Sequence, residues 1–154
     1  MLRYLAATAL IGALGLAATP AFAYKIFVSN EKGNDVTVLS SENFEVTDTF
    51  PVGQRPRGIA VSPDGTRLYV CTSDDDTIKE FDTKTYEFIR TLPSGPDPEL
   101  LVVSPDGTRL YAANEDDNLV TIIDLTTGQM VRKQFDLPRG DLFQNVLMTE
   151  DGRH

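Results

Sequence analysis

Cysteine and histidine are nearly absent from this 154-residue chain; each occurs once, as Cys71 and as His154 at the end of the sequence. A single cysteine excludes an intrachain disulfide even in an oxidising compartment, so core packing has to supply the stability. Cys71 sits in the apolar run Leu68-Tyr69-Val70-Cys71, where a small buried hydrophobe is expected rather than a reactive thiol. One cysteine also rules out a Cys-x-x-Cys-His haem attachment, and no serine stands in a nucleophile-elbow context. With catalytic machinery this thin, binding is expected rather than turnover. Basic residues are few, 14 against 23 acidic ones, for a formal net charge of −9. That balance argues against nucleic acid or anionic lipid as a partner, because both require positive patches. The acidic residues do not spell a metal site. The spaced Asp-x-Asp-x-Asp-Gly loop is missing, and the consecutive Asp74-Asp75-Asp76 cannot all face one ion in an extended turn. No metal and no cofactor is expected.

Long apolar runs are confined to the N-terminus, where Arg3 precedes an apolar stretch from Leu5 to Ala18 and the segment closes on Pro20-Ala21-Phe22-Ala23. A positive start, a short apolar middle and small residues at its end read as a secretory signal peptide over residues 1–23, with cleavage between Ala23 and Tyr24. A spanning helix needs about 20 predominantly apolar residues, and this run is shorter and broken by Gly and Thr. No cysteine flanks the cut, so lipidation is not supported. The expectation is a periplasmic or secreted protein with no membrane span after cleavage. Loss of Arg3 takes its formal charge from −9 to −10.

What the rest of the chain has is repetition. Ser-Pro-Asp-Gly-Thr-Arg-Leu-Tyr occurs at Ser62–Tyr69 and again at Ser104–Tyr111, an offset of 42. The same offset carries Ile26-Phe27-Val28 onto Leu68-Tyr69-Val70 and Phe44-Glu45-Val46 onto Tyr86-Glu87-Phe88. Beyond Arg132 the register slips through a variant stretch, Phe135–Phe143, and Thr149-Glu150-Asp151-Gly152 answers Ser104-Pro105-Asp106-Gly107 at an offset of 45. Repeats over about residues 26–67, 68–109 and 110–154 follow. Within the middle unit, short apolar runs between turn residues predict four antiparallel strands: a over Gly58–Ser62, b over Arg67–Thr72, c over Thr77–Asp82 and d over Tyr86–Leu92. Strands a and b are apolar on both faces, as for a sheet sandwiched between neighbours. Strand d alternates, Phe44, Val46 and Phe50 against Glu45, Thr47 and Thr49, as for an outer strand. Four-stranded units of roughly 40–50 residues are β-propeller blades. The fold expected is therefore all-β, a partial β-propeller of about three blades and the start of a fourth. Since propellers close with about 4–8 blades, a fragment of a longer chain or an assembly of copies is expected.

Ser-Pro-Asp-Gly-Thr-Arg-Leu-Tyr-Val, followed by an Asp-rich turn and Leu-Val-Thr-Ile-Ile-Asp, resembles the YVTN-type β-propeller repeat from about Tyr24 to Arg132. The longer strings Tyr24–Asn30, Val52–Val61, Cys71–Thr77, Leu92–Leu100 and Ala113–Val120 resemble the exported β-propeller family associated with pyrroloquinoline quinone (PQQ)-dependent alcohol catabolism. That resemblance implies a protein accessory to quinoprotein dehydrogenases. Its implied partner is a periplasmic quinoprotein dehydrogenase or a cytochrome, with no catalytic residues to carry over. The repeat is shared with lactonases and amine dehydrogenase subunits, so a propeller enzyme whose site lies in further blades is the alternative.

The a–b and c–d turns are expected on one face of the disc and the d–a connectors and b–c turns on the other. The second face collects the candidate binding residues Arg55, Arg57, Asp97, Glu99, Asp74, Asp75, Asp116 and Asp117. Arg55 and Arg57 hold the positions that Asp97 and Glu99 hold one repeat later, so charge changes sign between adjacent blades. Two roles stay open for them: an ion pair between blades, or a ligand site beside the central channel. The aspartates of the b–c turns equally suit plain turn formation.

Overall fold

A computed structural model describes residues 23–115 and 118–134, with side chains as far as Met130. The expected signal segment before Ala23, Asp116, Asp117, the variant stretch Phe135–Phe143 and the expected start of a fourth repeat lie outside the described residues. Three antiparallel sheets follow one another along the chain. The first contains β1 (Lys25–Asn30), β2 (Asp35–Ser40) and β3 (Val46–Pro51) in that order. The second contains β4 (Pro56–Val61), β5 (Arg67–Thr72), β6 (Thr77–Asp82) and β7 (Phe88–Pro93), and the third β8 (Pro98–Val103), β9 (Arg109–Asn114), β10 (Leu119–Asp124) and β11 (Met130–Gln134). The fold is a partial β-propeller, each sheet a blade. Among the described residues the only helix is a 3-10 turn, Ser73–Asp75, and none is long and apolar enough to cross a membrane.

The turns explain why the sheets form. At Ser62-Pro63-Asp64-Gly65 the Gly65 N–H donates to the Ser62 carbonyl at 2.8 Å, and Gly65 takes φ +74°. The Asp64 carboxylate accepts from Ser62 Oγ at 2.5 Å and from the Thr66 N–H at 3.0 Å. Ser104, Asp106, Gly107 and Thr108 repeat the device. At the c–d turn, Asp82 Oδ1 accepts from the N–H groups of Lys84 and Thr85, as Asp124 does from Thr126 and Thr127.

The core lies at the seams between blades rather than within any one of them. Val36, Val38, Phe50 and Val52 of the first blade pack on Leu68, Val70 and Phe81 of the second. Tyr69, Cys71, Ile78 and Leu92 of the second pack on Leu101, Leu110, Ala112, Ile123 and Leu125 of the third. Cys71 is fully buried, as its apolar run implied. At the rim of the first seam Tyr86 stacks on Phe50, with centroids 5.0 Å apart, and Lys25 lies 4.5 Å over the Tyr86 ring.

Strands b and c of the middle repeat fall where the sequence placed them, and strands a and d do not. Strand a begins two residues earlier, at Pro56. Strand d begins at Phe88, because Tyr86 takes φ +60° and belongs to the turn. The alternation expected along the first d strand also fails. Phe50 is buried, whereas Phe44 and Val46 are exposed. Phe44, at φ +59°, is a turn residue, and the pairing skips Thr47 between Asp48 and Val46. A β-bulge there breaks the period of two. The expectation of d as the outer, wetter strand holds for β3 and β7.

Candidate functional site

Bulges of a second kind interrupt the inner strands. In β4 the pairing with β5 runs from Pro56↔Thr72 to Ile59↔Val70, leaving Arg57 and Gly58 out of register. In β8 it runs from Pro98↔Asn114 to Leu100↔Ala113, leaving out Glu99. Bulges re-aim side chains, and these two send Arg57 and Glu99 toward one another from adjacent blades. Close approach of the inner strands makes the meeting possible: a Cβ on Gly58 would lie 2.6 Å from the Glu99 carbonyl oxygen.

The d–a connectors and b–c turns share a face, as expected. The Ser73 N–H donates to the Arg55 carbonyl and the Glu115 N–H to the Asp97 carbonyl. Arg55 and Asp97 both take positive φ at the entrance to their strands. The Arg55 N–H is capped by Asn34 Oδ1 at 2.9 Å, and the Asp97 N–H by Asp76 Oδ1 at 3.0 Å. Asn118 is the next residue in that series, and its buried Oδ1 has no partner among the described residues.

Arg55 is bonded from all three blades. Its Nε meets Glu31 Oε1 at 3.2 Å, and its Nη1 lies 3.4 Å from Asp74 Oδ1 and 3.3 Å from Asp97 Oδ1. These carboxylates, Glu31 first, raise its pKa. Arg57 pairs directly with Glu99, whose side chain is only 7% exposed. Burial is the main cause that pushes the Glu99 carboxyl from 4.5 up to about 7. Asp97 and Glu115 add to it against the opposing pull of Arg57. The ion pair between blades is therefore present for both Arg55/Asp97 and Arg57/Glu99.

Beside this pair opens a cleft of about 450 Å³ lined by Ser29, Glu31, Pro56, Arg57, Glu99, Leu100 and Glu115. Ser29 donates to the Arg57 carbonyl at 2.7 Å, fixing the wall from the first blade. Of the sequence candidates, Arg55, Arg57, Asp74, Asp97 and Glu99 come together. Asp75 turns aside to accept from Lys79 Nζ at 3.1 Å and from the Gln54 N–H at 3.0 Å. Its pKa falls because those bonds outweigh the opposing effect of its burial. Asp116 and Asp117 lie outside the described residues. Glu31 was not singled out, although the offset of 42 places it where Ser73 and Glu115 stand. The carboxylates of Asp97, Glu99 and Glu115 lie within 4.8 Å of one another, but the guanidiniums of Arg55 and Arg57 already supply the positive charge there.

The chain is similar over residues 22–141 to the model of the lactonase, seven-bladed β-propeller family. Hydrazine synthase of Kuenenia stuttgartiensis is 32% identical with a TM-score of 0.67, covering 70% of this chain and 31% of that one. A putative 6-phosphogluconolactonase of Bacteroides fragilis is 23% identical with a TM-score of 0.60, covering 69% and 33%. Virginiamycin B lyase of Staphylococcus aureus is 14% identical with a TM-score of 0.62, covering 74% and 39%. The chain thus spans about a third of the length of these structures. No curated protein sequence matches it. With its blades described and its sequence matched over most of its length, the chain belongs to the lactonase family of seven-bladed β-propellers.

Proposed function

We propose that the cleft between the second and third blades is part of the axial site of an exported lactonase-type propeller, where a small neutral cyclic ester is bound and opened by water. The observation that carries this reading is the meeting of Arg57 and Glu99, thrown together by bulges in adjacent inner strands at the mouth of a cleft. In its ionised form the Glu99 carboxylate takes a proton from water, and the water oxygen adds to the ester carbonyl carbon. The Arg57 guanidinium donates to the carbonyl oxygen as negative charge develops there. The ring C–O bond then breaks, the ring oxygen takes the proton from Glu99, and the product is a hydroxy acid. A carboxyl group that titrates near neutrality suits such proton exchange. Five carboxylates, from Glu31, Asp74, Asp97, Glu99 and Glu115, surround two arginines. That excess of negative charge disfavours a phosphorylated substrate. The full chain should hydrolyse neutral lactones in preference to their phosphorylated counterparts in a pH-stat assay. Preference for a phosphorylated lactone, or no hydrolysis of any lactone, would count against the reading.

The resemblance to the PQQ-associated family supports a second reading, an exported binding protein accessory to periplasmic quinoprotein-dependent alcohol oxidation. Its partner would be a quinoprotein dehydrogenase or cytochrome. Pull-down from cells grown on an alcohol should then enrich a redox protein, and enrichment of none argues against this reading. Both readings place the protein outside the cytoplasm, so its mature form should begin at Tyr24 by mass spectrometry. Retention of Met1 would contradict export.

A further inference from the structure

A second cleft, of about 360 Å³, opens between the same two blades on the opposite face, where their a–b turns approach the c–d turn of the third blade. Pairing of β5, β6 and β7 sets Tyr69, Glu80 and Arg90 in a row across the second blade. Arg67, two residues before Tyr69, shares their face. Glu80 and Tyr69 are each only 4% exposed. Glu80 holds both arginines, Arg90 Nε at 2.6 Å and Arg67 Nε at 3.4 Å, and Arg90 Nη2 also donates to the Leu125 carbonyl of the third blade at 2.7 Å. The offset of 42 puts Val38 of the first repeat and Ile122 of the third at the place of Glu80, so an apolar residue satisfies the sheet there. Exchanging a buried ion pair for apolar residues is often neutral or stabilising, so stability alone gives no reason for this charge. Tyr69 points the same way. Its ring packs in the seam and its side chain lines the cleft, yet its hydroxyl has no hydrogen-bond partner among the described residues. Burial first, and then the Glu80 charge, push the phenol up to about 12, so it stays a neutral hydroxyl that can both donate and accept. Each guanidinium, with five N–H donors, keeps some to spare. At the rim Asp106 Oδ1 is taken up by its own turn and Oδ2 is left to accept. Three carboxylates, from Asp64, Glu80 and Asp106, against two arginines disfavour an anion, and the arginines disfavour an amine. A polyol, whose every hydroxyl both donates and accepts, suits donors and acceptors set side by side. We propose that this cleft binds a neutral monosaccharide, with Tyr69, Arg67 and Arg90 at its floor and Asp106 at its rim. The site shares no residue with the Arg57/Glu99 cleft and does not rest on the function proposed above.

Amide NMR of the full chain, titrated in turn with D-glucose, D-galactose and D-mannose, tests this. At least one sugar should shift the Tyr69, Arg90 and Thr126 signals saturably, at about millimolar concentration or below. Tyr69→Phe, which installs the residue that Phe27 supplies in the first repeat, should weaken that binding about three- to tenfold, the usual worth of one hydrogen bond. Should the variant fail to fold, the map of shifted amides in the wild type decides. No saturable shift with any of the three sugars, shifts centred on Ser29 and Glu115 of the other cleft, or unchanged affinity in Tyr69→Phe would overturn the proposal. Saturation of the same amides by acetate or butylamine, in place of a sugar, would overturn it as well. Sugar binding by a protein that opens no lactone would sustain this site and retire the hydrolytic reading of the other.

Discussion

Gly58 shows how much of the site hangs on single residues. Its missing side chain is what lets β4 come against the backbone of β8, with the Glu99 carbonyl oxygen 2.6 Å and Leu100 Cα 2.7 Å from where a Cβ would stand. Both obstacles are backbone, which cannot swing aside as a flexible side chain would. Gly58→Ala should cost about 1–3 kcal/mol, the range for overpacking a filled interior, read as a lower midpoint in urea. A neutral outcome would mean that the inner strands are less closely packed than described. The charges contribute less to stability than their number suggests. Arg55 is a third exposed, and exposed ion pairs are worth about 0–1 kcal/mol each. Its role is to hold three blades in one arrangement around the cleft. The change of charge from Arg55 and Arg57 to Asp97 and Glu99 was legible in the sequence from the offset of 42, which left an ion pair and a ligand site both open. Glu31 was not, since one glutamate in an ordinary turn carries no signal until the fold sets it 3.2 Å from Arg55.

At the scale of the element, the b and c strands were legible to the residue because their apolar runs are bounded by turns whose chemistry is local. Ser-Pro-Asp-Gly fixes the start of b, and the aspartate ending c caps the next turn. The inner and outer strands escaped because each carries a bulge, and an extra residue leaves no mark in a pattern read by alternation. The same bulges aim Arg57 and Glu99, so the place where sequence reasoning lost its register is the place where the candidate site lies. The blades also divide by burial: β5 is buried from Leu68 to Thr72, whereas Val46 to Thr49 of β3 are exposed. Native-state hydrogen exchange should therefore protect the amides of Leu68, Val70 and Cys71 at least about tenfold more than the solvent-facing amides of β3, since local opening is easiest where little apolar surface is buried. Equal protection in both strands would contradict the assignment of β3 as an outer strand.

For the molecule as a whole, the decisive fact is that the two apolar clusters among the described residues are seams, each built from two blades. No described blade has a core of its own, which is why the repeat had to recur and why its offset, more than any single motif, disclosed the architecture. The same construction puts the site between blades, since Arg57 belongs to one and Glu99 to the next. The activity proposed for it was not legible, because no residue of the cleft is distinctive by type and only the seam makes arginine and glutamate a pair. The most direct test is steady-state lactone hydrolysis by the full chain carrying Arg57→Ala or Glu99→Gln, with Lys84→Gln as a control. Lys84 is exposed in a c–d turn on the opposite face. Each cleft substitution should lower kcat/KM by about 10²–10⁴-fold, the usual loss when a positioned acid, base or charge partner is removed, while Lys84→Gln leaves it unchanged. Wild-type rates in both cleft variants would contradict the account.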